Sequence, residues 1–405
     1  MNVLVIGTNR FSHDSLISLG HDLVMITSLQ SAFKNDSERG YRAIHYLSDM
    51  SNRRELIALS EAIHDTWCFD RVVSFHDDYQ ESSIMVSERL GLPNLYTVDE
   101  IRSLRDKASM REKLQKEKLT TVSYHVCSSF LDLGIKLELF EYPCVLKPIS
   151  GTGGVSVSVF ENLGDAMDWY KNHDEQGSNL DSQWVIETFV EGVEYSVEAL
   201  SENGEHFIIA ITDKIKNDDN HFIEIGQRVP AAINERQELE ISQYVTSVLT
   251  ALGVKNGPTH TEVILTEQGP EIVESHTRTG GDRIPFLVEL ACGIDMNLLA
   301  AKQAIGIQVS NEIPDNIEFK RNAVVAFKSD SSNPPKKVKR VLGTGSIMVE
   351  NDVKELRIYK NEGDVVSSVN NRFERSAHVV AVGECAETTE ILAFASVNSI
   401  HFELD

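Results

Sequence analysis

The sequence predicts an α/β protein: a Rossmann-like N-terminal unit, a mixed α/β middle and a β-rich C-terminal segment. Three observations predict it. Val3-Leu4-Val5-Ile6 is a short, fully apolar run, as a parallel strand buried on both faces requires, and strand-like and helix-like stretches alternate after it to about residue 97. Residues 259–282, THTEVILTEQGPEIVESHTRTGGD, alternate in the strand period on both sides of a Gly-Pro turn and end in a Gly-rich bend. Beyond Asn311, helical periods give way to short strands.

In chain order, Gly7-Thr8-Asn9-Arg10 turns the first strand into a helix near 15–19, and a second strand covers 22–27. A helix is expected over 54–64, a strand over 71–75, and a helix over 80–90 that stops at Gly91, where a C′ glycine belongs. Gly7 lacks the GxGxxG spacing of a dinucleotide site. His76, Asp77, Asp78 and Glu81 follow the 71–75 strand, where open α/β sheets place ligands. Asp77, Asp78 and Glu81 suit a cationic side chain on a substrate; a solvated polar loop is the other reading.

Residues 98–118 read as two helices, with Lys107 opening the second. The strand YPCVLK (142–147) leads into Ser150-Gly151-Thr152-Gly153-Gly154 and a strand over 155–160. Glycine N–H groups can close around phosphates while a lysine supplies a point charge beside them. The spacing is not that of a Walker loop, and a plain hairpin turn is the alternative. A helix at 165–171 and a loop at 177–181 precede the strand QWVIETFV (183–190). After Glu191-Gly192, the strand VEYSVEAL puts Glu194, Ser196 and Glu198 on one face. A strand over 206–212, a loop with a short strand over 222–230 and an amphipathic helix over 233–252 lead to the 259–276 hairpin, which helices at 283–292 and 296–305 follow. The C-terminal expectation is strands at 323–327, 345–349, 355–359, 365–369 and 377–382, a helix at 387–397 and a strand at 399–404. The basic run 336–340 reads as a solvated loop-to-strand transition.

Folding the hairpin about Gln268 sets Glu262 opposite Glu274 and His260 opposite His276, with Val263, Leu265 and Val273 on the other face. Carboxylates opposed on adjacent strands, roughly 5 Å apart, repel unless a cation lies between them. Carboxylate and phosphate oxygens are the ligands Mg²⁺ prefers. Arg278 follows with the same parity and is placed to hold an anion there. A solvated face with scattered charges is the alternative.

Composition bounds the function. With 41% hydrophobic and 25% charged residues in 405, the chain is globular and multidomain. A net charge of −24 leaves no basic excess for nucleic acid or an anionic membrane. Five dispersed cysteines without CxxC spacing argue against disulfides and a structural zinc. No apolar run reaches membrane-helix length, and the N-terminus enters a strand without a basic leader, so a cytoplasmic protein is expected; monomer and homodimer both stay open.

Lys107, YPCVLKPISGTGGVSV, VIETFVEGVEYSVE and HTEVILTEQGPEIVESHTRTGGD, in that order and spacing, resemble the ATP-grasp superfamily over about residues 98–310. Within it the chain is most similar to carboxylate–amine ligases, especially bacterial L-amino-acid ligases that make dipeptides; Lys214, Phe222-Ile223-Glu224 and Pro230 share that likeness. The resemblance implies a pre-ATP-grasp α/β domain (1–97), a central subdomain with the Gly-rich loop (98–182), a subdomain with the metal and phosphate site (183–310) and a β-rich cap (311–405). It implies ATP and Mg²⁺, with Mn²⁺ as the other ion. Lys107 and Lys147 would contact phosphates, Lys147 nearer the reacting end, and Gly151, Thr152, Gly153 and Gly154 would close over them. Glu187, Phe189 and Val190 would read adenine and Glu194 the ribose. Glu262 and Glu274 would hold Mg²⁺, Arg278 would steady the acyl phosphate and its tetrahedral successor, and Gly280 and Gly281 would approach the substrate carboxylate.

One departure stands out. Many relatives read Glu-Ile-Asn-Pro-Arg where this chain has Glu274-Ser275-His276-Thr277-Arg278. His276 then replaces an asparagine that often ligates the second Mg²⁺; it becomes a ligand, it contacts substrate or phosphate, or Glu274 bridges both ions. Lys214, Glu224, His260, Asp78 and Glu81 are candidate substrate contacts, and Glu224, His260 or phosphate itself is the candidate base for the amine. The implied reaction joins two amino acids through an acyl phosphate and releases ADP and phosphate. The alternatives are a ligase for a natural-product or other non-amino-acid carboxylate or amine, and a nucleotide-binding module without chemistry.

Overall fold

The apolar N-terminal run becomes β1 (Asn2–Ile6), followed by α1 (Arg10–Ser18), β2 (Asp22–Ser28), β3 (Ala43–Leu47), α2 (Arg53–Trp67), β4 (Arg71–Val73) and α3 (Asp77–Arg89). The computed structural model describes residues 1–31, 36–149, 157–175, 183–217, 220–347, 350–368 and 374–405. The four strands form a parallel sheet in the order β3-β2-β1-β4, the Rossmann-like arrangement expected. Leu4, Ile6, Val24 and Ile26 fill one side of it and Val3, Val5, Leu23 and Met25 the other, which is why these strands read as unbroken apolar runs. β3 escaped the sequence reading: AIHYL is largely half-buried and carries a histidine.

Next come α4 (Val98–Arg105), opened by a Thr97–Glu100 capping box, and α5 (Lys107–Lys116), capped by Asp106. A second, antiparallel sheet takes β5 (Tyr124–Cys127), β6 (Cys144–Pro148), β7 (Ser158–Phe160) and β8 (Trp184–Thr188) in the order β5-β8-β6-β7. Helices α6 (Phe130–Leu139) and α7 (Leu163–Glu175) belong to this unit; Leu133, Leu137, Leu146 and Ile186 are in its core.

The third sheet positions the site. It begins with β9 (Val193–Glu202), β10 (Glu205–Asn217) and β11 (Asn220–Val229). The helix α8 (Glu235–Leu252) follows, with a capping box at Asn234 and Gln237 and Gly253 in the left-handed conformation at its C-terminus (φ 81°). Then come the hairpin β12 (Gly257–Thr266) and β13 (Gly269–His276), and the helices α9 (Ile284–Cys292) and α10 (Met296–Ala304). The C-terminal segment carries β14 (Asn322–Lys328), β15 (Lys336–Leu342), α11 (Thr344–Ile347), β16 (Val353–Ile358), β17 (Val365–Val366), β18 (Ala377–Gly383), α12 (Ala386–Asn398) and β19 (His401–Leu404). The eight strands pair in the order β13-β12-β9-β10-β11-β14-β18-β16, so the sheet hydrogen-bonds straight across residue 310, from β11 to β14. A small sheet, β17-β15-β19, completes the segment.

Three local expectations change. A strand was expected over 345–349, but 344–347 form α11, and 348–349 lie outside the described residues. The basic run 336–340 lies within β15, where Val338 is buried and Lys336, Lys337, Lys339 and Arg340 are exposed, and the pairing with β19 is irregular between Val338 and Arg340. The 222–230 stretch lies largely in the ten-residue strand β11. Among the described residues no single helix is long and apolar enough to cross a membrane.

Candidate active site

The second and third sheets border a cleft of about 880 Å³. Val145, Lys147 and Glu187 line it from one sheet, and Glu194, Lys214, Glu224, Glu262 and Glu274 from the other, with Lys107, Arg111 and Arg278 between them.

On the first wall, β6 and β8 bring Lys147 and Glu187 together, with Lys147 Nζ 2.6 Å from Glu187 Oε2. Arg111 of α5 grips the same carboxylate with two nitrogens, Nε at 3.1 Å and Nη2 at 2.9 Å, and donates from Nη1 to the Ile272 carbonyl at 2.8 Å. Burial alone would raise the Glu187 pKa, but Lys147 and Arg111 outweigh it and hold the carboxyl at about 2. Burial lowers the Lys147 pKa, and Glu187 offsets this only in part.

On the second wall the arrangement inverts. Lys214 of β10 is nearly enclosed and lies 3.0 Å from Glu224 and 2.7 Å from Glu262. It also pairs with Glu194, which Lys216 contacts as well. Burial opposes the Lys214 charge, yet Glu224, Glu262 and Glu194 push its pKa well above the ordinary value. Oxygens of Glu194, Glu224 and Glu262 lie within 4.8 Å of one another.

The hairpin register sets Glu262 opposite Glu274 and His260 opposite His276, as the strand period predicts. A one-residue irregularity after Glu262 corrects the other face. Ile272, not Val273, packs beside Val263 in the core, and Val273 turns into the cleft. Each opposed glutamate has its own cation: Glu262 has Lys214, and Glu274 has Lys107 at 3.1 Å. Burial works against the Glu274 charge, but His276 and Lys107 keep its pKa far below the usual range.

The histidines stand behind these carboxylates. His260 Nδ1 is 2.6 Å from Glu198 and Nε2 is 3.5 Å from Glu262. Burial would lower the His260 pKa, but Glu198 raises it to about 9. His276 lies 3.0 Å from Glu274 and 3.4 Å from Asp77, close ion-pair contacts without hydrogen-bond alignment, and does not line the cleft. Arg278 is anchored by Asp77, Nε to Oδ2 at 2.5 Å, and donates to the Thr279 carbonyl at 3.0 Å. Gly280 N–H donates to Glu198 Oε2 at 3.1 Å, while Gly281 lines the cleft.

Phe189 and Val190 line the cleft just beyond β8, where the Phe189 N–H bonds the Pro143 carbonyl at 3.1 Å. Gly151, Thr152, Gly153 and Gly154 lie outside the described residues. Asp78 pairs with Arg105 at 3.0 Å, and Glu81 with Arg53 at 2.9 Å and Arg102 at 2.6 Å; neither lines the cleft. Of that acidic group, Asp77 is the member tied to the site, through Arg278 and His276.

The sequence reading missed the roles of Asp77, Arg111 and Glu198. Glu198 shares the face of Glu194 along β9, so parity could have found it. Arg111 shares the helix face of Met110 and Leu114, so helical spacing could have turned it inward, though not named Glu187 as its partner.

Residues 140–285 match the family model of the ATP-grasp domain. The chain carries an ATP-grasp domain. Its ATP-grasp fold is that of a solved structure, the L-amino acid ligase from Bacillus licheniformis, with a TM-score of 0.87 and 20% identity over 100% of this chain and 98% of that one. In sequence it is 25% identical over 231 residues to the alanine–anticapsin ligase of Bacillus subtilis strain 168, covering 52% of this chain and 48% of the relative. It is 24% identical over 194 residues to the L-arginine-specific L-amino acid ligase of Bacillus subtilis, covering 47% of each. The chain thus spans about half the length of these relatives.

Proposed function

We propose that this ATP-grasp protein is an ADP-forming carboxylate–amine ligase that activates an amino-acid carboxylate with ATP and joins it to the amine of a second amino acid. The observation that carries this reading is the convergence of Lys107, Lys147, Glu262, Glu274 and Arg278 on one cleft. The names of its relatives, amino-acid ligases among them, support the same chemistry.

A carboxylate does not condense with an amine in neutral water. In the proposed reaction a substrate carboxylate oxygen attacks the γ-phosphorus of ATP, the bond to the β–γ bridging oxygen breaks, and ADP leaves with that electron pair. The amine nitrogen of the second amino acid then attacks the acyl carbon. The bond from that carbon to the phosphate oxygen breaks, the amine loses a proton, and inorganic phosphate leaves. Lys107 and Lys147 bring positive charge to the phosphoryl oxygens, where charge spreads during transfer. Arg278, held in place by Asp77, meets the oxyanion that develops at the acyl carbon.

Glu262 and Glu274 fit Mg²⁺, or Mn²⁺: they are carboxylates kept ionised by their neighbours, opposed across two strands and facing the cleft. When bound, the ion neutralises charge on the phosphoryl oxygens. His276 abuts Glu274 and orients it, and Mg²⁺ prefers oxygen to an imidazole. In this reading Glu187, Phe189 and Val190 border the base, Glu194 the ribose, and Gly151 to Gly154 the phosphates. The proposed units are 1–97, 98–182, 183–310 and 311–405, the last two sharing one sheet.

The test is ADP and phosphate release from the purified chain with ATP, Mg²⁺ and amino acids, singly and in pairs, with products identified by mass spectrometry. A pair-dependent product of dipeptide mass, matched by ADP and abolished in Glu274→Ala, is the expected result. Phosphate release without condensation, or silence with every pair while ATP binds, overturns the amino-acid reading.

A further inference from the structure

The C-terminal segment touches the rim of the cleft through Arg375, which precedes β18 and is 4% exposed. Its Nη1 lies 2.9 Å from Asp282 Oδ1. Its Nη2 donates to the backbone carbonyl of Glu224 at 3.1 Å and lies 3.7 Å from the Glu224 carboxylate. The guanidinium sits over the Phe327 ring, 3.5 Å from its centroid, so packing fixes its plane. Asp282 and Glu224 both line the cleft, yet they come from distant parts of the sheet: Glu224 from β11, and Asp282 from the turn after β13. Arg375 bridges them.

That turn has an uncommon backbone. Asp282 (φ 49°) and Arg283 (φ 72°) are consecutive non-glycine residues in the left-handed region, which L side chains resist. Such a conformation persists only where the surroundings impose it. Here both residues are gripped from the C-terminal segment. Arg375 holds Asp282, and Glu355 of β16 holds Arg283, Oε2 to Nε at 2.5 Å. The Arg283 guanidinium is also flanked by Phe11 at 4.6 Å and Phe286 at 4.5 Å. The turn follows directly on Arg278-Thr279-Gly280-Gly281, the stretch that carries the proposed oxyanion contact.

We propose that Arg375 is a positioning residue: by tying Asp282 to the Glu224 strand it sets the turn at 281–283, and so governs how the amino-acid substrates, rather than ATP, are held. The substrate part of this inference rests on the ligase reading. The clamp itself does not.

The test compares the full chain with Arg375→Met, which keeps contact with Phe327 and removes the ion pair, Arg375→Lys, and Asp282→Asn, which removes the same pair from the other side. Three quantities are read: amide hydrogen exchange across 279–286, the Kd for ATP, and KM against kcat for amino-acid-dependent ADP release. In Arg375→Met and Asp282→Asn, exchange at 281–284 is expected to accelerate about tenfold or more. KM for an amino acid should rise about tenfold, with the ATP Kd within about twofold of wild type. Arg375→Lys should fall between, because an ammonium reaches Asp282 but cannot also bridge to Glu224 as a fork does. Unchanged exchange overturns the clamp. Equal weakening of ATP and amino-acid binding also overturns it, because Arg375 would then be a general structural support. Should Arg375→Met fail to fold, the near-isosteric Asp282→Asn decides alone. If wild type shows no amino-acid-dependent turnover, the ligase reading fails, and faster exchange at 281–284 with unaltered ATP affinity still sustains the clamp.

Discussion

Glu187 and Lys214 sit on different sheets that border the same cleft, and their surroundings are opposites. Glu187 is one carboxylate between two cations, Lys147 and Arg111. Lys214 is one ammonium among three carboxylates, Glu194, Glu224 and Glu262. Removing a charge from water is costly, and matched partners are what make it tolerable. In both clusters further partners share the charge: Glu271 lies 3.8 Å from Arg111, and Lys216, His260 and Arg375 reach the three glutamates around Lys214. Cations that line a cleft suit phosphate oxygens, and carboxylates that line it suit a metal ion or ammonium. On the proposed ligase reading the first wall faces the nucleotide and the second the metal ion, and each central group is held by side chains of the other sign.

The strongest way to break the comparison is Lys214→Met. It removes the central ammonium and leaves three carboxylates crowded together, with Lys216, His260 and Arg375 as the cations nearest them. Breaking a buried charge cluster from one side typically costs about 3–5 kcal/mol, so a large fall in the urea midpoint is expected. Mg²⁺ should restore part of it by taking the vacated position, and should stabilise the variant more than wild type; an ion at tenfold its Kd returns about 1.4 kcal/mol. Equal stabilisation of both proteins by Mg²⁺, read from urea curves with and without the ion, would show that the acidic wall is not a cation site.

Arg111→Met tests the opposite wall and should cost less, about 2–3 kcal/mol, because Lys147 still neutralises Glu187 while the bidentate grip and the bond to the Ile272 carbonyl are lost. Here Mg²⁺ should restore nothing, which makes the pair of variants diagnostic of which wall attracts cations. A smaller effect is expected from Gly280→Ala. An added Cβ would lie 2.8 Å from Glu198 Oε2, and Glu198 cannot retreat, being fully buried and held by His260. Overpacking of this kind costs about 1–3 kcal/mol. The same variant should lower turnover by displacing Arg278, two residues away. An unchanged urea midpoint with normal turnover would mean that the Glu198 pocket yields easily.

The two walls also differ in how much of them could be read in advance. The hairpin wall was legible because a strand fixes its side chains by parity: Glu262 with Glu274 and His260 with His276 follow from alternation alone. Alternation could not foresee the irregularity after Glu262, which swaps Val273 for Ile272 in the core, because an inserted residue leaves no mark on the pattern. The Glu187 wall was half legible. Lys147 stood out as the lysine before a Gly-rich stretch, whereas its counterpart Arg111 lies on a helix with only two large apolar residues, Met110 and Leu114. Met110 and Leu114 mark the inner face of α5 and put Arg111 on it, unlike Lys113 and Lys116, but only the docking of α5 against β13 and β8 gives Arg111 its partners. The acidic group after β4 shows the same limit: Asp77, Asp78 and Glu81 looked alike, but Asp77 turns inward to Arg278 while the other two meet surface arginines.

A third way to bury a titratable group sharpens the contrast, because it uses no counter-charge surplus at all. His13 on α1 is fully buried, with Nδ1 2.7 Å from the Tyr41 hydroxyl and Nε2 without a hydrogen-bond partner among the described residues. Burial, aided by the nearby Arg10 and only partly countered by Asp36, pushes its pKa down from 6.5 to about 3. The folded imidazole is therefore neutral at pH values where the unfolded one takes up a proton. Because the folded pKa is the lower, this group costs nothing above about pH 6.5, and stability falls as pH drops from there towards 3. At pH 5.5, one pH unit below the free imidazole value, the loss should reach about 1.4 kcal/mol. His13→Gln cannot titrate, so its stability should fall less than wild type's between pH 7.5 and 5.5, by about that amount. Urea midpoints at the two pH values give the comparison. Parallel falls in both proteins would mean that His13 is protonated in the folded state, and that burial without opposite charge does not force neutrality here as it does not at Glu187 and Lys214.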